Sequence, residues 1–201
     1  MNILAGFLAL LPISGIAQET SSALIPAKAN PNFVELTHRA LEGDTRSQLR
    51  LGIALEFGQG VHQNLVEAMY WYHLAADRGD PIAQTNLGYF YEIGVDGSAN
   101  PVEAAKWYLR AAVSGFVRAQ FNLGTLYLRG VGVEKNEELA AHWIGEAAEA
   151  GCPAAIAALG DLYGSGVGVP RDEQKAVELI QRAAKKKDDS LLCTRFGKRT
   201  H

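Results

Sequence analysis

The feature that most constrains this chain is an internal repeat with a step of 36 residues. A Leu-Gly pair recurs at residues 51–52, 87–88, 123–124 and 159–160. A second glycine recurs at positions 58, 94, 130 and 166, and a capping residue recurs as Asn64, Asn100, Asn136 and Asp172. No insertion interrupts the register. Agreement at this many positions indicates stacked copies of one structural unit.

Each repeat is predicted to contain two helices, called here helix A and helix B. In the second repeat, helical spacing predicts a helix A over residues 82–93, which Gly94 ends in the left-handed conformation. Asn100 is predicted to cap a helix B that begins at Pro101 and runs to Ser114. Glu103 is predicted to complete a capping box with Asn100.

A helix pair of this size cannot bury its own apolar face, so neighbouring repeats must stack. Gly88 and its equivalents lie in helix interiors, where glycine costs about 1 kcal/mol relative to alanine. We therefore expect a facing helix B, rich in alanine, to approach too closely for a side chain. The predicted fold is all-α: a right-handed α-solenoid of four helix–loop–helix repeats with a concave surface. The predicted repeats are residues 44–79, 80–115, 116–151 and 152–187, with a capping helix over 33–43 and a C-terminal cap or basic tail over 188–201.

The third repeat carries the full pattern A-x-x-x-L-G-x-x-Y…G-x-G…A-x-x-W-x-x-x-A-A-x-x-G. Its residues are Ala119, Leu123, Gly124, Tyr127, Gly130, Gly132, Ala140, Trp143, Ala147, Ala148 and Gly151. This pattern resembles the Sel1-like repeat, a relative of the tetratricopeptide repeat, and the resemblance covers residues 44–187. Two departures are Asp96, in place of the second loop glycine, and Leu179, in place of the tryptophan. The resemblance implies a non-catalytic adaptor that binds a partner protein or peptide.

By resemblance to tetratricopeptide arrays, helix A lines the concave face. Function is expected where the repeats differ on that face, because the recurring residues build the scaffold. The candidate partner contacts are Glu56, Thr85, Tyr89, Glu92, Phe121, Thr125, Arg129 and Asp161. Aromatic rings, hydroxyls and single charges are typical of a peptide-binding groove. Asn86 and Asn122 can belong to that groove or satisfy backbone groups between helices, and the sequence leaves both interpretations open.

Motifs of catalysis are absent from the sequence: it has no Ser-x-x-Lys, Gly-x-Ser-x-Gly, Cys-x-x-Cys or His-Glu-x-x-His. We therefore predict no catalytic residue, cofactor or metal site. The recurring Trp-Tyr pair in EAAKWYLRAA, residues 103–112, is predicted to pack between helices. One alternative is β-lactam binding or hydrolysis, as in cysteine-rich relatives. Another is binding of peptidoglycan or another glycan, with Tyr89 or Phe121 stacking on sugars.

The amino-terminal residues predict export. An apolar run over residues 3–16 ends in small residues and predicts a signal peptide at 1–17, followed by an unstructured leader at 18–32. We expect a periplasmic or secreted bacterial protein with no transmembrane span in its mature chain. A net charge of -3 gives no basic footprint for nucleic acid, and the oligomeric state is not predicted. Cys152 and Cys193 can pair in an oxidising compartment or stay free thiols, and both remain open.

Overall fold

The computed structural model describes residues 31–186 and residue 193. Within these residues the regular secondary structure is helical, which confirms the predicted all-α solenoid class. The helices are α1 (Pro31–Leu41), α2 (Thr45–Phe57), α3 (Leu65–Asp77), α4 (Pro81–Ile93), α5 (Pro101–Val113), α6 (Val117–Arg129), α7 (Glu137–Glu149), α8 (Pro153–Ser165) and α9 (Glu173–Lys185). Helix A of the four repeats is α2, α4, α6 and α8, and helix B is α3, α5, α7 and α9. The predicted signal peptide, most of the leader and the predicted C-terminal cap lie outside the described residues.

The chain divides into two compact units, with the boundary inside α3 between Trp71 and Tyr72. In the first unit, α1 packs against α2. In the second unit, the successive helices from α4 to α9 pack against one another in chain order. Alanines supply much of the core between these helices, together with larger residues such as Tyr108, Leu123 and Ile144.

The helix-interior glycines mark close approaches between helices, as predicted. A Cβ atom added to Gly88 would lie 2.5 Å from the ring of Tyr108. A Cβ atom on Gly124 would lie 2.7 Å from Cγ1 of Ile144 and 3.1 Å from the carbonyl oxygen of Ala140. Because Tyr108 and Ile144 are equivalent residues of helix B, the glycine provides the same clearance in successive repeats. Tyr108, half of the Trp-Tyr pair, is fully buried and therefore serves packing.

The predicted capping box is only half formed. Asn100 caps α5 by accepting a hydrogen bond from the backbone N–H of Glu103, as expected. The Glu103 carboxylate pairs with Lys106 at 2.5 Å instead of reaching back to Asn100. The N–H of Asn100 is already used, since it donates to the carbonyl of Tyr91 in the preceding helix A. The same bond recurs in the other repeats, from Asn64 to Leu55, Asn136 to Tyr127 and Asp172 to Tyr163.

A recurring glutamine, overlooked in the sequence, connects each repeat to the one before. The side-chain amide of this glutamine donates to the carbonyl of an alanine near the end of the preceding helix. The bonds run from Gln48 to Ala40, from Gln84 to Ala76 and from Gln120 to Ala112. In the fourth repeat Ile156 takes the glutamine's place, and Arg182 of α9 donates to the equivalent carbonyl of Ala148 at 3.2 Å. The 36-residue recurrence of Gln was the signal that could have revealed this contact.

Candidate partner-binding surface

One position of helix A carries a different side chain in each repeat of the second compact unit. This helix-A row consists of Tyr89 in α4, Thr125 in α6 and Asp161 in α8, each one 36-residue step from the last. Tyr89 and Thr125 are partly exposed, and Asp161 is exposed. Equivalent residues of stacked repeats lie on the same side of the stack. The row therefore presents an aromatic ring, a hydroxyl and a carboxylate side by side.

Two other candidates on α6, Arg129 and Phe121, differ in how much of the side chain is exposed beside this row. Arg129 is exposed and lies one helical turn beyond Thr125 on the same face. Phe121 lies one turn before Thr125, but its ring packs partly against the apolar core that includes Ile144 and Ile156. The Thr125 hydroxyl donates to the Phe121 carbonyl at 2.9 Å. A partner would thus meet Arg129 fully and Phe121 only at its edge.

The structure places two candidates away from solvent. Thr85 is fully buried and donates its hydroxyl to the Pro81 carbonyl at 2.7 Å. Glu56 lies in the first compact unit, with 3% of its surface exposed. Neither side chain can offer much area to a partner. Sequence spacing alone missed this, because period and residue type do not show how deeply a helix face is covered.

Glu92 belongs to a polar network rather than to an open surface. Its half-buried carboxylate accepts a hydrogen bond from the Tyr108 hydroxyl at 2.5 Å. Burial, and then the negative charge of Glu92, raise the pKa of Tyr108 well above its ordinary value. The pair links α4 to α5 and orients the carboxylate beside the helix-A row.

A second buried contact answers the question left open for Asn86. The guanidinium of Arg118 in α6 donates to Oδ1 of Asn86 in α4 at 2.8 Å, and both residues are buried. Nδ2 of Asn86 makes no hydrogen bond within the described part of the chain. Asn86 therefore holds a side chain of the next repeat instead of a backbone group. Sequence reasoning missed Arg118, which occupies a helix-A position where arginine would ordinarily be exposed.

Four consecutive segments of the chain match the model of a known repeat family. The family model described as the Sel1 repeat matches residues 45–80, 81–115, 117–152 and 153–188. The chain belongs to the Sel1 repeat family. Proteins built from Sel1 repeats typically act as protein-interaction modules. No curated protein matches the chain.

Two solved structures resemble this Sel1 repeat protein over most of its length. One is a protective antigen present in uropathogenic Escherichia coli strains that displays an SLR fold; it shares 34% identity over 80% of this chain, with a TM-score of 0.75. The other is a Sel1 repeat protein from Oxalobacter formigenes, with 37% identity over 75% of this chain and a TM-score of 0.69. This chain spans 34% of the first protein and 62% of the second. Both similarities support the Sel1 repeat fold.

A disulfide joins Cys152 at the start of α8 to Cys193, which follows the fourth repeat, and their Cα atoms lie 5.6 Å apart. Cys152 occupies the N-cap position of α8, where Asp44 and Asp80 cap α2 and α4 in the first two repeats. Its sulfur accepts from the N–H of Ala155 at 3.4 Å. Cys193 packs against the same apolar core as Cys152. The disulfide thus ties the segment after α9 to the start of α8.

Neither a cluster of metal ligands nor a membrane-spanning helix is found among the residues that the structure describes. Within them, no group of three or more His, Cys, Asp or Glu side chains lies close enough together to hold a metal ion. No helix formed by these residues has the length and apolar character needed to cross a membrane.

Proposed function

We propose that this Sel1 repeat protein is a non-catalytic interaction module that binds a segment of a partner protein along the helix-A row. The observation that carries the proposal is the contrast between positions. Recurring residues such as Leu87, Leu123 and Ala140 are buried in the scaffold, whereas the row varies in every repeat and keeps its side chains at the surface. Variation at an exposed, repeated position serves recognition better than packing.

The chemistry of the row favours a peptide over other ligands. Tyr89 offers an apolar ring with a polar end, and Thr125 offers a hydroxyl, which are typical anchoring and hydrogen-bonding groups of interfaces. Arg129 and Asp161 add one positive and one negative charge. We therefore expect a partner segment with an apolar anchor for Tyr89 and charged residues of opposite sign spaced along it.

The proposed setting is an oxidising compartment, either the bacterial periplasm or the cell exterior. The disulfide between Cys152 and Cys193 supports it, because disulfides persist in such compartments and are rare in the cytosol. The N-terminal signal predicted from residues 1–17 agrees with this setting.

Site-specific photo-crosslinking tests the proposed surface. A photoreactive amino acid is introduced at Tyr89 or Asp161, and in a matched control at Val113, which is exposed on helix B of the second repeat. We expect the same partner to be crosslinked from both row positions and not from Val113. Tyr89→Ala combined with Arg129→Glu should then reduce capture of that partner. Equal crosslinking from Val113, or capture unchanged by the double variant, would refute the proposal.

A further inference from the structure

A groove of about 410 Å³ lies on the helix-B side of the third and fourth repeats. We call it the helix-B groove. Its walls are α7 and α9, and its floor includes Leu159 and Tyr163 of α8 together with Leu179 of α9. Leu159 and Tyr163 are partly exposed, so apolar surface is open at the bottom of the groove.

Two departures from the repeat pattern account for the open space. Gly145 of α7 is two repeat steps after His73, and Leu179 of α9 is two steps after Trp107. In the earlier repeats this pair of positions is filled, since the rings of His73 and Trp107 meet edge to face with centroids 5.6 Å apart. Glycine and leucine at the same two positions remove both rings. Space that two aromatic rings fill between α3 and α5 is therefore open between α7 and α9.

Gly145 has no structural requirement to be glycine. It lies inside α7, where glycine costs about 1 kcal/mol relative to alanine. A Cβ atom at Gly145 would meet no atom of the described residues within 4 Å, whereas a Cβ atom at Gly124 would collide with Ile144. Gly145 is also absent from the glycines with positive φ. Neither packing nor backbone conformation explains it, and an occupant of the groove would.

The charged side chains that line the groove are net negative, because three glutamates outnumber Lys175 and Arg182. Glu138, Glu146 and Glu149 line the α7 wall, are exposed, and form none of the ion pairs found among the described residues. The two basic side chains lie on the α9 wall, where each is held by a hydrogen bond to a neutral group. Lys175 donates to the Tyr163 hydroxyl at 2.7 Å and lies over its ring, while Arg182 donates to the Ala148 carbonyl. Charge complementarity therefore favours a cationic occupant.

The geometry points to a peptide segment of a partner protein that carries an aromatic side chain next to a basic residue. The ring occupies the space that tryptophan fills in the earlier repeats, above Leu159 and Leu179. The neighbouring lysine or arginine faces Glu146 and Glu149. The walls of this site are helices B, and its lining contains none of the three residues of the helix-A row, so either binding surface can fail without the other.

The test uses the full chain and short synthetic peptides in which Trp, Phe or Tyr lies between two arginines, with binding measured by fluorescence anisotropy. Control peptides replace the aromatic residue by Ala or the arginines by Glu. The variant Gly145→Leu introduces into the groove the leucine that stands at the equivalent position of the second repeat, Leu109. Glu146→Lys reverses a wall charge, and Glu134→Lys makes the same change at an exposed loop residue outside the groove.

We expect an arginine-flanked aromatic peptide to bind, with Gly145→Leu weakening it roughly 30-fold or more, the loss typical of an aromatic hot spot. Glu146→Lys should weaken binding, and Glu134→Lys should leave it unchanged. Gly145→Leu replaces an unfavourable helix-interior glycine, so the thermal unfolding midpoint of this variant should equal or exceed that of the wild type. Leu179→Trp is a second variant in which a larger side chain fills the groove. Amide chemical-shift changes should map to α7, α9 and the floor residues of α8, and not to Tyr89 or Thr125.

Three results would overturn the inference. The first is binding of the arginine-flanked peptides no stronger than that of their Ala or Glu controls. The second is wild-type affinity in both Gly145→Leu and Leu179→Trp. The third is self-association of the chain through this groove, seen as a concentration-dependent mass that Gly145→Leu abolishes.

Discussion

At the scale of single residues, the loop glycine Gly132 shows how one repeat contacts the next. Its φ of 71° lies in the left-handed region, and an added Cβ atom would overlap the carbonyl oxygen of Pro101 at the start of the preceding helix B. Gly168 approaches Glu137 in the same way one repeat later. The second loop glycine of the repeat therefore serves contact between repeats as well as the turn itself.

Gly132→Ala should destabilise the protein by more than Gly115→Ala. Both positions have positive φ, which costs a non-glycine residue about 1–2 kcal/mol. Among the residues that the structure describes, none comes within 4 Å of a Cβ atom at Gly115, whereas a Cβ atom at Gly132 would overlap a backbone carbonyl. The free energy of unfolding of both variants, measured in urea, gives the difference. Equal losses would mean that the carbonyl contact carries no cost.

His73 should make the stability of the fold depend on pH. Burial lowers the pKa of His73, although Asp77, Glu103 and Asp96 act in the opposite direction. The unfolded chain, with a His pKa of about 6.5, then binds this proton more readily than the folded protein. The contribution of neutral His73 to the free energy of unfolding is therefore fully present above that pH and is lost as the pH falls through it towards the folded-state pKa. The slope of this loss is at most about 1.4 kcal/mol per pH unit.

Urea unfolding of His73→Gln between about pH 5 and pH 8 checks this effect, because the slope from His73 should disappear. Tyr91→Phe is the matched control. It removes the hydroxyl that lies 3.0 Å from Nε2 of His73 but leaves the burial that lowers the pKa. The slope should therefore persist in Tyr91→Phe. An unchanged slope in His73→Gln would show that other groups are responsible.

At the scale of the elements, a carbonyl near the end of α3, α5 and α7 accepts a hydrogen bond from a neighbouring helix in addition to one from the backbone of the following glycine. The last carbonyls of a helix have no partner inside that helix. Gln84 and Gln120 supply the donor from the following helix A. In the fourth repeat Ile156 supplies none, and Arg182 reaches the Ala148 carbonyl from α9. The same additional hydrogen bond is thus made from two different elements.

Arg182→Met should lower the free energy of unfolding by about 1 kcal/mol, the ordinary value of one hydrogen bond. Ile156→Gln restores the donor used by the other repeats, so it should cost less in the Arg182→Met background than in the wild type. A double-mutant cycle in urea measures this coupling. Additive effects of the two changes would show that they do not share the Ala148 carbonyl.

At the scale of the whole molecule, the disulfide connects the last repeat to a segment that the repeat pattern does not reach. Cys152 and Cys193 are separated by 41 positions in the sequence. The exposed apolar residues Val177 and Ile180 of α9 show how little of this helix other described residues cover. In a linear array each repeat is stabilised by contacts with its neighbours, and a repeat at the end of the array has a neighbour on one side only. The disulfide at Cys152 therefore adds a covalent link to the repeat that has the fewest such contacts.

Reduction of the disulfide should destabilise the protein. Loop-closure entropy for this separation gives an effect of about 4 kcal/mol, and measured values are typically about 2–4 kcal/mol. The urea midpoint measured with and without a thiol reductant checks the effect. Cys152→Ala combined with Cys193→Ala should be insensitive to reductant. A wild-type midpoint that reductant leaves unchanged would contradict the prediction.

Much of the fold could be predicted because its causes are local or periodic. The Leu-Gly step set the repeat register, Gly94 ended helix A, and Asn100 capped helix B, as the structure confirms. Gly88 and its equivalents indicated the close helix contact through their recurrence alone. These inferences succeed because a residue that recurs in every repeat answers a requirement that every repeat shares.

The tertiary structure decided what residues of the same type do in different surroundings. Thr85 and Tyr89 lie one turn apart in α4, yet Thr85 is buried and Tyr89 reaches the surface. Gly124 and Gly145 are both helix-interior glycines, but a facing helix excludes a side chain only at Gly124. The sequence by itself determined the helices, their ends and their order, because those depend on neighbours along the chain. Only packing determined which positions are filled and which stay open for a partner, because that depends on residues one or two repeats away.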